Sequence, residues 1–419
     1  MDNKPSEGYR QALDMLHRCC TPDGFLASTT DSANYRRIWA RDGVILSLAA
    51  LLTEDAELIH GVRATLTTLA RYQGPHGEIP SNVDPLLERV SFGGTSGRVD
   101  SNLWFIIGCA EYYKATGDSD FLEMILPHVE KVRFLLGAWE FNNRGLIYVP
   151  QAGDWADEYI HSGYILYDQL LYLQAQRSIC CLHAELYGSE DHTLIEHLSR
   201  LRHLIRTNYW FNGVVEVVPD DAFHPVTYQR GSEAAAKSLG KFWLPFFSPS
   251  GYGYRFDAFA NVLASLFNVA DERRRNIVDS YIDENLLGDN GENFVLPAFW
   301  PVIDSHDEDW KHLQRTFSFS FRNNPYEFHN GGRWPMITGF HVAALAKRGK
   351  TEQAGKFLQG IHDANALESD GEAWSFPEFI HGKKLTPCGT LHQGWSAGAA
   401  IIAEHTLRGE LLFRIEDHD

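Results

Sequence analysis

The sequence predicts an all-α chain folded as an (α/α)6 barrel, a toroid of six helical hairpins with short β pieces at its rim. Three observations predict it. Six helical segments are apolar on every side, which places them inside. Amphipathic segments alternate with them and belong outside. Each apolar segment is introduced by a loop rich in polar and aromatic residues. If all six inner helices start at one end of a closed ring, those loops meet at one mouth, where a ligand should bind. An open solenoid would need a fixed repeat, and the inner helix starts near Arg41, Asp100, Gly163, Asp257, Trp334 and Gln393 are too unevenly spaced for one. The whole chain, 1–419, is therefore expected to form one domain.

In order, residues 8–20 read as a first helix, with Ala12, Leu13, Met15 and Leu16 apolar. The stretch Asn34-Tyr35-Arg36-Arg37-Ile38-Trp39-Ala40-Arg41-Asp42 introduces an apolar helix over 43–52, and its companion at 56–72 carries Leu58, Val62, Leu66 and Leu69 on one face. Gly97-Arg98-Val99-Asp100-Ser101-Asn102-Leu103-Trp104 opens the next, ending near Thr116, with 118–139 as partner. An acidic stretch around Asp157 leads through Ser162-Gly163-Tyr164 into a helix to Leu186, answered by 191–206. A fourth pair covers the opening at 253–261 with its helix to Val269, and 271–282. His329-Asn330-Gly331-Gly332-Arg333-Trp334-Pro335 opens the helix to Lys347, paired with 351–364; Pro335 suits a first turn, where a missing N–H costs nothing. Leu391-His392-Gln393-Gly394-Trp395-Ser396 opens the last, 397–407, whose partner is the helix at 8–20. Only 140–150, with Gly145-Leu146-Ile147-Tyr148-Val149, and 210–230, with Gly213-Val214-Val215-Glu216-Val217-Val218, read as strand-like rim pieces.

A net charge of -18 argues against nucleic acid and anionic membranes as partners, since both need a basic face. Aromatic residues are 13% of the chain, with 11 Trp and 17 Tyr, many in loop-like contexts beside Gly, Asp or Asn. That placement suits stacking on sugar rings. Six cysteines, two pairs of them adjacent, fit neither a disulfide framework nor zinc-ligand spacing and read as reduced thiols. The polar N-terminus lacks the apolar core of a signal peptide, so a cytoplasmic protein is expected.

Chemistry concentrates in Gly153-Asp154-Trp155-Ala156-Asp157-Glu158-Tyr159, three carboxylates between aromatic rings. Rings strip water from a carboxyl, and a desolvated carboxyl keeps its proton to higher pH. The competing reading is a solvated acidic loop that caps the next helix. A second such setting, Trp374-Ser375-Phe376-Pro377-Glu378-Phe379, supplies another carboxylate from far along the chain. Two carboxylates at ring-lined sites are what hydrolysis of a glycosidic bond requires, and the inverting form needs them roughly 6.5 to 9.5 Å apart.

The loops resemble those of inverting glycoside hydrolases built on α/α toroids, most closely the neutral/alkaline invertases, and also the amylo-1,6-glucosidase part of glycogen-debranching enzymes. The resemblance rests on Asn34-Tyr35 with Arg41-Asp42, on Gly97 to Ser101 with Leu103-Trp104, on His329 to Gly332 with Trp334-Pro335, on Pro377-Glu378, and on Gln393 with Trp395-Ser396. It implies Asp157 as general acid and Glu378 as general base, with Asp154 and Glu158 the rivals for the first role and Glu327 and Glu372 for the second. Substrate contacts are expected from Tyr35, Trp39, Arg41, Asp42, Arg98, Asp100, Trp104, Asp154, Trp155, Gln169, His329, Asn330, Trp334, Gln393 and Trp395. For Asp42 and Asp100, helix capping is as good a reading as sugar binding, and at least two of the tryptophans should be core rings. The chain departs from the invertases after the acid, with Glu158-Tyr159 in place of paired arginines and only Gln169 kept from a Pro-x-Glu-x-Gln segment. Since that segment shapes the relatives' glucose subsite, the departure implies a different fit around the sugar.

The implied function is an exo-acting inverting hydrolase that releases glucose from a small α-glucoside, sucrose-like or α-1,6-linked. Two alternatives stay open: a cytosolic sugar epimerase or isomerase on the same fold, working through histidines, and a non-catalytic carbohydrate-binding protein. Neither a metal nor an organic cofactor is expected, because acid and base catalysis at an acetal needs none. The partner is a small carbohydrate, and a homo-oligomer is left open.

Overall fold

The computed structural model describes residues 5–189, 192–212, 217–238, 240–288, 291–316 and 320–415. In chain order the described helices are α1 (Glu7–Cys19), α2 (Ala40–Thr53), α3 (Ala56–Arg71), α4 (Asp100–Thr116), α5 (Ser119–Trp139), α6 (Leu166–Tyr187) and α7 (His192–Tyr209). They continue with α8 (Pro225–Lys237), α9 (Ala258–Leu266), α10 (Glu272–Asn285), the single turn α11 (Trp310–Leu313), α12 (Pro335–Lys347), α13 (Thr351–Asn365) and α14 (Gly394–Leu407).

Helices with apolar residues all round can satisfy them only inside. α2 is buried from Ala40 through Leu52, α4 from Asp100 through Tyr112 and α12 from Pro335 through Leu345. Together with α6, α9 and α14 they form the inner layer. Each packs on the next, and α14 returns to α2, so the ring is closed. The amphipathic α3, α5, α7 and α13 lie against their preceding inner helices, and α1 lies against α14, so the first helix completes the last hairpin. The fold is an (α/α)6 toroid. Its principal apolar cluster runs from Tyr9 to Ile415. Among the described residues no helix is long and apolar enough to cross a membrane.

Helix starts differ between the two layers. Of the outer helices, α1, α3, α5 and α10 begin with side-chain caps, whereas α13 has none: Ser6 accepts from Tyr9 N, Asp55 from Glu57 N and Leu58 N, Asp118 from Phe121 N, and Asp271 from Arg274 N. The inner α2, α4, α6, α12 and α14 have no such cap. Most inner helices emerge instead from short antiparallel pairings. Ile38–Trp39 pairs with Asn82–Asp84, Tyr164–Ile165 with Phe246–Ser248, and Phe256–Asp257 with Phe299–Trp300. Single bridges join Arg333 to Ile380 and Gln393 to Ser28. These pieces make the rim, and the positive ends of the inner helices open onto it.

Several boundaries and pieces differ from expectation. α2 and α14 start three residues earlier than their apolar runs, which draws Arg41, Asp42 and Trp395 into first turns. Residues 140–150 hold one bridge, Val149 to Gly163, and no strand. Of the second strand-like stretch, 213–216 lie outside the described residues, and 225–230 belong to α8. There Pro225 stands in the first turn and His224 Nδ1 accepts from Thr227 N, so capping decides the conformation where the valines upstream suggested a strand.

Candidate active site

The first turns of the inner helices carry polar side chains to one mouth. Arg41 Nη1 donates to Asp100 Oδ2 at 2.7 Å, and Arg41 Nε lies 3.8 Å from Asp42 Oδ2. Gln393 Nε2, entering from α14, donates to Asp42 Oδ1 at 3.0 Å, and the Arg41 guanidinium lies 5.9 Å over the Trp395 ring. Neither aspartate caps its helix, so the capping reading is set aside for both. Burial pushes the Asp42 carboxyl up to about 6 against the pull of Arg41.

Glu378 lies on the rim piece that faces this group. Its backbone N–H donates to Thr390 O at 2.8 Å, and Thr390 N–H returns a bond to Oε2 at 2.9 Å. The Tyr35 hydroxyl donates to Oε1 at 2.8 Å. Close backbone approach is possible because residue 389 is glycine at φ +74; a Cβ there would stand 2.4 Å from Glu378 Oε2. Burial pushes the Glu378 carboxyl up to about 7, against the Thr390 and Tyr35 hydrogen bonds that favour its charged form. Asp157, half-buried, accepts from Arg98 Nη2, and Arg98 Nη1 also donates to Ala152 O. Tyr35 contacts Glu378 directly and meets Asp157 only through its charge. Beyond burial, its hydroxyl is pushed up by the charges of Glu378, Asp157 and Asp42. The base rivals sit elsewhere: the Glu372 side chain is 76% exposed, and Glu327 accepts from Asn324 Nδ2 at the surface. Glu158 keeps one buried, unpartnered oxygen, and its carboxyl is raised by burial and by Asp157.

Beneath this pair lies a group of buried acids. Asp154 and Asp168 have no hydrogen-bond partner on either oxygen, and both are pushed well above the usual carboxylate range, Asp154 by burial and then Asp100 and Asp257, Asp168 by burial and then Asp154, Asp100 and Asp257. Asp257 caps α9 through Ala260 N and is pushed up to about 7 by burial. Shared protons are the expected state for carboxyls in such company. Asp168 and Asp257 are absent from the residues expected by sequence. Their signal was available, since both stand at inner helix starts, as Asp42 and Asp100 do.

Rings fill the centre. Trp155 contacts His329 and Trp334 with centroids 4.9 and 5.4 Å away, His329 stacks on Trp334 at 5.4 Å, and Trp334 meets Trp395 at 5.6 Å. Trp39 stacks on Tyr35 at 5.9 Å nearer the surface. The indole N–H groups of Trp155 and Trp395, His329 Nδ1, Gln393 Oε1, Arg41 Nε and Arg98 Nε are buried without hydrogen-bond partners. Such donors and acceptors match a polyhydroxylated ligand. His329 is held well below its ordinary value by burial and His161 is pushed down to about 3, so both are neutral at neutral pH and neither is poised as a charged acid. Among the described residues no group of His, Cys, Asp or Glu side chains is arranged to hold a metal ion.

Four expected contacts are corrected by their partners. Gln169 uses both ends of its amide on Ile147, accepting from N at 3.1 Å and donating to O at 2.8 Å, and clamps a loop. Asn330 does the same for Ile303, at 2.7 and 2.8 Å. Trp104 is wholly buried, donates to the Tyr167 hydroxyl and packs on Phe259 and Phe340. Trp334 donates to Phe328 O and stacks on Phe379, behind Trp155 and Trp395.

A family model described as alkaline and neutral invertase matches residues 237–409. Cytosolic invertase 1 of Oryza sativa subsp. japonica is 24% identical over 89% of this chain and 72% of its own length. The probable chloroplastic alkaline/neutral invertase A of Arabidopsis thaliana is 23% identical over 96% of this chain and 70% of its own. Among solved structures, a GH63 mannosylglycerate hydrolase from Thermus thermophilus superposes with a TM-score of 0.64 at 12% identity, covering 94% of this chain and 99% of that one. A GH78 family rhamnosidase of Bacillus sp. GL1 gives 0.61 at 16% identity, covering 94% of this chain and 34% of that one. The structural likenesses show the fold.

Proposed function

We propose a specific reaction for this chain, a glycoside hydrolase that resembles the alkaline and neutral invertases: exo-acting hydrolysis of a small α-glucoside with inversion, releasing glucose. Glu378 is the general base that takes a proton from the attacking water. Asp157 is the general acid that protonates the leaving oxygen. The observation that supports this assignment is the Tyr35 hydroxyl, which is bonded to Glu378 at 2.8 Å and lies near enough to Asp157 to feel its charge, as two carboxyls sharing one mouth would require. Burial that raises Glu378 to about 7 suits a base working near neutrality. Arg98 occupies an Asp157 oxygen that the leaving group would have to approach, so substrate is expected to draw Arg98 away from Asp157 as it binds. Arg41, Asp42, Asp100, Gln393 and Trp395 then hold the sugar hydroxyls, with Trp155 and Asp154 below.

The T. thermophilus mannosylglycerate hydrolase is also known in complex with glucose, which supports glucose as the sugar, and its name adds a sugar linked to a small acid as an aglycone to try. We assign the whole chain to one catalytic domain, and its place to the cytoplasm, as in the rice relative's name. The test is anomer-resolved NMR of turnover on sucrose, isomaltose, other α-glucosides and glucosylated small acids. First release of β-glucose from an α-glucoside supports the proposal; release of α-glucose, or no hydrolysis across the panel, overturns it.

A further inference from the structure

We propose that Arg333, on the rim beside the piece that carries Glu378, is the anchor of a second site that binds a small sugar carrying a phosphate or carboxylate. Arg333 is 4% exposed, and its guanidinium is held by backbone carbonyls alone. Nη1 donates to Leu286 O and Val295 O, both at 2.7 Å, and Nε donates to Gly382 O at 3.1 Å. No described carboxylate pairs with it, and Nη2 makes no hydrogen bond to a described residue. A buried guanidinium without a counter-charge is costly, and carbonyl dipoles offset only part of that cost. A bound oxyanion would complete the balance.

The surroundings say what the anion is attached to. Arg333 lines a cavity of about 610 Å3. Trp300 and Tyr326, rings 6.4 Å apart, stand on one wall, and Lys383 reaches over the Tyr326 ring at 5.7 Å without an ion pair among the described residues. Aromatic faces take the apolar face of a pyranose, while the fixed Arg fork and the long Lys take an oxyanion. Glu292 and Asp363 also line the cavity. Both are exposed, and they disfavour a bare polyanion there more than a single oxyanion held at Arg333. Next to Nη2 the chain is Gly288 at φ +80, where an ideal Cβ would stand 3.7 Å from that nitrogen, so the absence of a side chain keeps the approach open.

The site is independent of the hydrolytic assignment, although it borders it. Arg333 N donates to Ile380 O at 2.9 Å and Ile380 N donates to Arg333 O at 2.8 Å, two residues along from Glu378. Binding is therefore tested with the active site filled. Calorimetric titration of the whole protein with inorganic phosphate, glucose 6-phosphate and gluconate, in saturating glucose, is expected to give saturable binding with glucose 6-phosphate or gluconate tighter than phosphate. The rank of glucose 6-phosphate against gluconate separates a phosphate from a carboxylate source. Lys383→Glu, on the exposed rim, is expected to weaken binding at least tenfold with the melting temperature near wild type, and Arg333→Met to abolish it. Binding to none of the three probes, or binding that Lys383→Glu leaves unchanged, overturns the proposal.

Discussion

Glu378 shows how one carboxyl is tuned by its contacts. Burial works against its charged form, while Thr390 N–H and the Tyr35 hydroxyl work for it, and the outcome is a value of about 7. A general base must be ionised, so through Glu378 activity should rise as pH climbs through about 7. Tyr35→Phe deletes a donor to the charged form, which raises the carboxyl further. The acid-side limb of kcat/KM is then expected to move to higher pH, with the fold intact; a limb that stays where it was would remove Tyr35 from this role. Glu378→Gln and Asp157→Asn are each expected to lower kcat roughly a hundred- to ten-thousand-fold, the range for one acid or base. Their melting temperatures should stay near wild type, and a variant that keeps most of its turnover rules its residue out.

Inner helices were legible because a run such as Val44-Ile45-Leu46 with no polar face has only one place to go, and the ring closes as expected from them. What side chains do at the helix starts was not legible. A polar residue in a first turn looks the same in sequence whether it faces the mouth, as Gln393 does, or the loop behind, as Gln169 does. Asn261 repeats the Gln169 arrangement on Trp243, accepting from its N at 3.0 Å and donating to its O at 3.2 Å, and Asn102 repeats the accepting half, from Ile79 N at 2.8 Å. These amides fix the loops that descend to the rim. Gln169→Leu would leave the N–H and C=O of Ile147 buried and unpaired, a loss of about 3 kcal/mol. Denaturant unfolding checks this, and with the folded fraction accounted for KM should hold; a large change in KM without loss of stability would return Gln169 to the substrate. α8 escaped notice for a different reason: its interior, Thr227 to Lys237, is mostly polar or alanine and lacks a strong apolar face, so its Pro225 and His224 start signals were outweighed by the valines before it.

A closed ring has two ends, and in this chain they are finished differently. The mouth gathers charge. At the other end Leu412, Phe413 and Ile415 are buried, with Phe413 against Phe267 and Phe340, and Arg414 Nη2 donates to Leu51 O at 3.1 Å. Glu111, wholly buried on α4, holds this segment by accepting from Arg414 N at 2.8 Å and Ile415 N at 3.3 Å. Burial nonetheless pushes its carboxyl from an ordinary 4.5 up to about 7. Between those two values the folded protein keeps a proton that the unfolded chain has released, so stability falls as pH rises through that window and levels off above about 7. The difference corresponds to about 3 kcal/mol. Other raised carboxyls at the mouth slope the same way, so the comparison must be with a variant. Glu111→Gln keeps an acceptor for one of the two amides and cannot ionise. Urea unfolding at pH 5 and pH 8 is expected to show wild type losing about 3 kcal/mol more than Glu111→Gln between the two conditions; equal losses would mean that Glu111 does not set the pH response of the far end.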